Sequence, residues 1–152
     1  MADIDVRPVT AEEMDQVLPL IAGYQTFYGA TPDTERNRRF FSRFIHPSED
    51  GLLLGASVDG ELVGFANLYW FFSSTKAAET VLMNDLFVKE GIRGKGIGRA
   101  LIQSALDETR RRGAAHLEWF TAPDNATAQR LYDSVPGAGR SIWYAYEIEA
   151  ET

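Results

Sequence analysis

Apolar positions along this chain alternate between two periods. Ile4 and Val6 are interleaved with Asp5 and Arg7, the pattern of a half-buried strand. From Met14 the period lengthens, and Met14, Val17, Leu18 and Ile21 fall on one helical face. Thr10-Ala11-Glu12-Glu13 precedes them as a capping box, in which the Thr hydroxyl and the Glu carboxylate can satisfy amides at a helix start. Pro19 lies inside the pattern; it lacks an N–H and crowds the preceding turn, so a kink or break is expected there. Tyr24 and Tyr28 continue the helical spacing. A second helix is expected from Pro32 or Asp33 to Phe44, with Phe40, Phe41 and Phe44 inward and Arg36, Arg38, Arg39 and Arg43 around it, ended by His46-Pro47.

Strand patterns then take over. The runs Leu52 to Val58 and Leu62 to Phe71 flank Asp59-Gly60, a strong hairpin signal, and a further strand is expected from Glu79 to Val88. After a glycine-rich turn, Ala100, Leu101, Ala105 and Leu106 mark the inner face of a helix from Arg99 to Arg112, closed by Gly113. An apolar strand from His116 to Ala122, a helix led by Asn125 and an aromatic strand from Ser141 to Ile148 complete the order. Interspersed strands and helices without repeat or linker predict one α/β domain over residues 1–152, a mixed sheet with helices on both faces.

Candidate chemistry concentrates in Arg93-Gly94-Lys95-Gly96-Ile97-Gly98, between the strand ending at Val88 and the following helix. Glycines let backbone N–H groups approach a ligand closely, and the helix N-terminus adds positive dipole charge, a combination that suits a pyrophosphate. The segment lacks the Gly-Lys-Ser/Thr ending of a Walker loop. A dinucleotide fingerprint fails too, finding Arg99 or Leu101 where its last glycine belongs. What remains is Arg/Gln-x-x-Gly-x-Gly/Ala, filled by Arg93, Gly96 and Gly98.

Together with Asp85-Leu86-Phe87-Val88 upstream and Asn125-Ala126-Thr127-Ala128-Gln129-Arg130-Leu131-Tyr132 downstream, this loop resembles the GCN5-related N-acetyltransferases (GNAT), which move acetyl from acetyl-CoA to an amine. Tyr24, Phe27, Tyr28 and Gly29 look like the first helix of the polyamine, thialysine and Hpa2-like branch. The resemblance implies the acyl-CoA N-acyltransferase fold, a mostly antiparallel sheet in which two parallel strands splay apart and admit the cofactor.

It also implies roles. Gly94, Lys95, Gly96, Ile97, Gly98 and Arg99 would present amides to the pyrophosphate, with the Arg93 and Lys95 side chains adding charge from outside. Leu86, Phe87 and Val88 would offer strand-edge groups to the pantetheine arm. Asn125 would contact the cofactor, and Tyr132 would donate to the departing sulfur, best described as a hydrogen bond that strengthens as thiolate develops. The polyamine branch carries a Glu where this chain has Asn84, which cannot take a proton. Asn84 orienting a water is then one source of the base and Glu118 another. Asp85, expected on the opposite strand face from Asn84, belongs to the core or to substrate binding beside Tyr24 and Tyr28.

Composition sets bounds. Without cysteine, neither disulfides nor a thiol nucleophile are available, and His46 and His116 alone do not make a metal site, so acyl transfer should be metal-free and either direct or through some other nucleophile. With 22 acidic residues against 15 basic ones the net charge is −7, which opposes nucleic acid and favours a cationic partner. No apolar run of bilayer length appears, and the acidic N-terminus is unlike a signal peptide, so a cytoplasmic protein is expected. The acceptor is expected to be a small cationic amine or a basic peptide, and Tyr69-Trp70-Phe71-Phe72 suggests core on one face and either the substrate cleft or a homodimer interface on the other. Two alternatives stay open: a non-catalytic acyl-CoA-binding regulatory module and a structural or interaction protein.

Overall fold

The computed structural model describes residues 3–151. They form two compact units, one ending at Phe120 and one beginning at Thr121.

The first unit is built on a five-stranded sheet, β1 (Ile4–Pro8), β2 (Gly51–Val58), β3 (Glu61–Ser73), β4 (Ala78–Val88) and β5 (Leu117–Glu118), arranged in that order. Neighbouring strands from β1 to β4 are antiparallel, and β4 and β5 run parallel. The hairpin forms where its turn chemistry requires it: Asp59 (φ 52°) and Gly60 (φ 81°) both take the left-handed conformation that a two-residue loop between twisted strands demands.

Helix α1 (Met14–Phe27) buries Met14, Val17, Leu18, Leu20 and Ile21. With Phe41, Phe44, Leu53, Leu62 and Phe65 they make a continuous core. The expected break at Pro19 does not occur. Pro19 is exposed, so the carbonyl that loses its partner can be hydrated, while buried residues on either side hold the helix to the sheet. At the helix entry the Glu13 carboxylate accepts from the Thr10 backbone N–H at 3.0 Å and from Arg7 through both oxygens, at 2.8 and 2.7 Å.

Helix α2 (Thr34–Phe41) is shorter than expected, and Ser42–Phe44 continue as a 3-10 turn. Asp33 caps it by accepting from the Arg36 N–H at 3.0 Å. Phe41 and Phe44 face inward, but Phe40 is 41% exposed, carried outward by the helical turn and covered by Arg43, whose guanidinium lies 5.3 Å from its ring centre. Helix α3 (Ile97–Arg111) packs on the sheet through Ile97, Leu101, Ile102, Ala105 and Thr109. Gly64 marks its close approach: an added Cβ would lie 2.9 Å from the Phe87 carbonyl and 3.4 Å from Leu101.

The strand expected over His116 to Ala122 shrinks to β5, because pairing stops at Val81–Leu117 and Leu82–Glu118, just before β4 changes register. In the second unit, helix α4 (Ala126–Asp133) forms as expected, but Ser141 to Ile148 is not a strand. Ile142, Trp143, Tyr144, Tyr146 and Ile148 are each more than four-fifths exposed there. Strand propensity is largely a preference for a neighbouring strand and a face to pack on, and this segment has neither among the described residues.

Candidate functional site

The site begins where β4 loses its neighbour. Past Leu82 no strand among the described residues pairs with it on the β5 side, so its backbone from Met83 to Val88 presents an open edge leading to the glycine loop. In that loop Gly91 (φ 90°), Gly94 (φ 82°) and Gly96 (φ 86°) all have left-handed backbones. A Cβ added at any of them would meet nothing within 4 Å. Glycine is therefore required here by backbone conformation, and the space beside the loop is open to a ligand. Gly96 is the N-cap of α3, so Ile97, Gly98 and Arg99 fall in its first turn, with N–H groups beyond intrahelical reach. The observed arrangement is an extended strand edge running into an anion-binding helix start, which fits an acyl-CoA: amides of the pantetheine arm along the edge, pyrophosphate at the loop.

The Arg93 side chain is exposed but makes contacts with protein groups. Its Nε donates to the Val88 carbonyl at 2.8 Å, and its guanidinium lies 5.4 Å from the Phe87 ring centre and 6.0 Å from that of Phe27. Lys95 is exposed.

Just before this edge, the register between β3 and β4 shifts. Asn67 faces Asp85 and Leu68 faces Met83, so Asn84 is the extra residue of a bulge. The expectation that Asn84 and Asp85 point to opposite faces fails for that reason: the Asn84 Nδ2 donates to Asp85 Oδ1 at 2.7 Å. Asn84 is exposed, whereas Asp85 is only 3% exposed. Burial pushes the Asp85 carboxyl above its ordinary range, partly opposed by hydrogen bonding from Asn84, Tyr24 and Asn67. The fully buried Asn67 amide makes no well-formed hydrogen bond of its own, although it lies close enough to Asp85 to favour the carboxylate.

Two phenols share this environment. The Tyr24 hydroxyl donates to the Asn84 carbonyl at 3.3 Å, and burial, then the Asp85 charge, raises its pKa strongly. Burial and the same charge push Tyr69 up to about 12. Both are therefore neutral hydrogen-bond donors at physiological pH. Tyr28 packs beside Tyr24 with its ring tilted by 57°, ring centres 4.9 Å apart, and is more than half exposed.

A cleft of about 700 Å³ adjoins the loop, walled by Leu20, Gly23 and Phe27 of α1, Leu62 of β3, Phe87 and Arg93. Glu118 on β5 lies 3.8 Å from His116 Nε2, and the Lys76 Nζ approaches His116 Nδ1 at 2.9 Å. These three groups form a small surface network.

In the second unit Asn125 is the N-cap of α4, its Oδ1 accepting from the Ala128 N–H at 3.1 Å. Gln129 ties the preceding loop to the helix by donating to the carbonyls of Ala122 and Pro123, at 3.1 and 2.8 Å. Tyr132 is half-buried in the last turn of α4.

The structure thus gathers Tyr24, Tyr28, Asn84 and Asp85 at one end of the open edge and Leu86 to Arg99 along it. Sequence reasoning missed Asn67, and it named Tyr69 and Phe27 without their contacts to Asp85 and Arg93. Asn67 did leave a signal, a lone amide inside the otherwise apolar run from Leu62 to Leu68.

Comparison with known proteins agrees with this geometry. The family model described as Acetyltransferase (GNAT) family matches residues 17–135. The chain is 35% identical to D-amino-acid N-acetyltransferase HPA3 of Saccharomyces cerevisiae over 134 residues, 87% of this chain and 83% of that protein. It is 31% identical to the uncharacterized N-acetyltransferase YhfO of Bacillus subtilis over 130 residues, 86% and 87% of the two chains. A solved structure of a probable acetyltransferase superposes with a TM-score of 0.83 at 27% identity, covering 97% of this chain and 99% of that one. The mixed sheet with its parallel β4–β5 pair is the fold those neighbours share, and the chain belongs to the GNAT acetyltransferase family as an acetyl-CoA-dependent N-acetyltransferase.

Proposed function

We propose that this enzyme acetylates the primary amine of a small cationic acceptor, of the polyamine or lysine-like kind, by direct attack on acetyl-CoA. One observation carries the acceptor assignment: a buried carboxylate, Asp85, is held at its Oδ1 by an N–H of the exposed Asn84, at the start of the open β4 edge. An amide N–H already occupies the place where an ammonium N–H would bind. Tyr24 and Tyr28 add aromatic faces beside it, suited to a cation. The net charge of −7 supports the same sign of acceptor, and the name of HPA3 supports an amine acceptor of small size.

Leu86, Phe87 and Val88 would hold the pantetheine arm through their backbone, and the amides from Gly94 to Arg99 would hold the pyrophosphate. Asp85 takes a proton from the acceptor ammonium, directly or through a water positioned by Asn84. Presenting a lysine-like amine in its neutral form at pH 7 otherwise costs about 4 to 5 kcal/mol. The amine nitrogen then forms a bond to the thioester carbonyl carbon, the carbon–sulfur bond breaks, and the sulfur receives the second nitrogen-borne proton. Asp85 returns its proton to solvent. Tyr132 is the proposed donor to the departing sulfur and Asn125 a cofactor contact, on the resemblance of the Asn125 to Tyr132 segment. Glu118 is subordinate as a base, since its carboxylate lies in an exposed network with His116 and Lys76.

The family match runs from residue 17 to 135 and so spans both compact units, which supports one catalytic domain. The exposed Phe71 and Phe72 of β3 support a homodimer, which sedimentation at working concentration tests. A cytoplasmic location accords with the absence, among the described residues, of any helix long and apolar enough to cross a membrane.

The test is free-thiol release from acetyl-CoA across polyamines, lysine analogues, aminoglycosides and basic peptides. Turnover on small diamines or lysine-like amines supports the reading. Turnover on basic peptides alone moves the acceptor to proteins. Binding of acetyl-CoA without turnover on any amine replaces the enzyme with a regulatory acyl-CoA-binding module.

A further inference from the structure

Arg93 stands where a phosphate-binding cation is expected, yet its contacts point inward. Its Nε is spent on the Val88 carbonyl, which fixes the start of the glycine loop to the end of β4. The guanidinium carbon lies 5.4 Å from the ring centre of Phe87 and 6.0 Å from that of Phe27, in the last turn of α1. Phe27 packs edge-on against Tyr28 at 5.1 Å, Tyr28 against Tyr24 at 4.9 Å, and Tyr24 against Phe87 at 6.4 Å. Arg93 therefore closes a ring of aromatic contacts that runs from the glycine loop to the tyrosines beside Asp85.

We propose that Arg93 is a positioning residue: it latches the donor loop to the C-terminal turn of α1 through Phe27 and Phe87, so the affinity for CoA depends on a phenyl ring on the acceptor side of the protein. The proposal rests on the acetyl-CoA reading above. Phe27 is 58% exposed, so its ring contributes little to the core, and its contact with Arg93 is the one the latch requires. A cation lying over an aromatic ring at a largely exposed site stabilises by about 0.5–1 kcal/mol, which sets the expected size of the effect at about two- to fivefold in affinity.

The experiment is calorimetric titration of the full chain with CoA at several salt concentrations, for the wild type, Phe27→Ala, Phe27→Trp, Arg93→Ala and the Phe27→Ala/Arg93→Ala double variant, with melting temperatures recorded for each. A latch predicts that Phe27→Ala weakens CoA about two- to fivefold with its salt dependence unchanged. Phe27→Trp restores affinity, and Phe27→Ala has no further effect once Arg93 is gone. In turnover the acetyl-CoA KM of Phe27→Ala rises while kcat is kept. If Arg93→Ala instead flattens the salt dependence and Phe27→Ala binds CoA like the wild type, Arg93 is an ordinary phosphate contact and the latch is overturned. Failure of the wild type itself to bind CoA would sink the acetyl-CoA reading instead, a separable outcome.

Discussion

Asn84 donates a 2.7 Å hydrogen bond to its own neighbour Asp85, a contact that two consecutive residues of a regular strand cannot make. The bulge opposite Asn67 and Leu68 allows it, and the result is a carboxylate enclosed by protein but one side chain away from solvent. That enclosure has a stability consequence as well as a chemical one. Because burial raises the Asp85 pKa in the fold, its contribution to stability is fully present below its unfolded value, about 3.8, and is lost as pH rises through the folded value. Asp85→Asn should therefore melt at a higher temperature than the wild type at neutral pH, with the gap closing below about pH 4. The same variant should lose about 10²-fold or more in turnover, as removal of an acid–base group does. A variant that kept full activity, or melted lower at pH 7, would remove Asp85 from the role assigned to it.

Tyr132→Phe isolates the departure of sulfur. It should cut kcat by about 10²-fold while CoA affinity stays near that of the wild type, because the hydroxyl is asked to act only as charge develops. Unchanged turnover on a good acceptor would show that the sulfur leaves without it.

Gly23 tests how closely α1 must approach β4. A Cβ there would sit 3.0 Å from the tip of the Phe87 ring. Gly23→Ala gains up to about 1 kcal/mol of helix propensity but must push that ring aside, so overall stability should change by less than about 1 kcal/mol. Phe87 also supports Arg93, so CoA affinity should fall more than stability does. Thermal melts and CoA titrations on the one variant separate the two quantities.

The Arg7–Glu13 pair supplies a test remote from the site. Chiefly through its hydrogen bonds with Arg7, Glu13 titrates at about 2 instead of its usual 4.5. A depressed carboxyl contributes stability above its unfolded pKa and loses it as pH falls through the folded one. Arg7→Ala should thus lower the melting temperature by an amount that is constant above about pH 5 and shrinks toward pH 2. Half of the Arg7 side chain is exposed, so the loss should be no more than about 1 kcal/mol.

What the sequence made legible follows from how local each cause is. Asp59-Gly60 dictates its hairpin from two residues, and Gly94 and Gly96 need only their own backbone angles, so both were readable. The boundary of β5, the extended exposure of residues 141 to 148 and the partnership of Asn84 with Asp85 depend on strand register, which is settled between segments distant in sequence. Pro19 misled for a related reason: whether a proline breaks a helix depends on what the freed carbonyl faces, and that is decided by packing. Arg93 showed the same gap, since its place in the motif was visible and its engagement with Phe27, 66 positions earlier, was not.

The strand edge of β4 past Leu82, with no strand beside it among the described residues, has a consequence for the protein's lifetime. A strand edge without a partner strand is a seam to which other unpaired chains adhere. A ligand laid along it would close the seam and, by mass action, hold more of the population folded. On the proposed acetyl-CoA reading, the stability of the fold should rise with the concentration of its own acetyl donor.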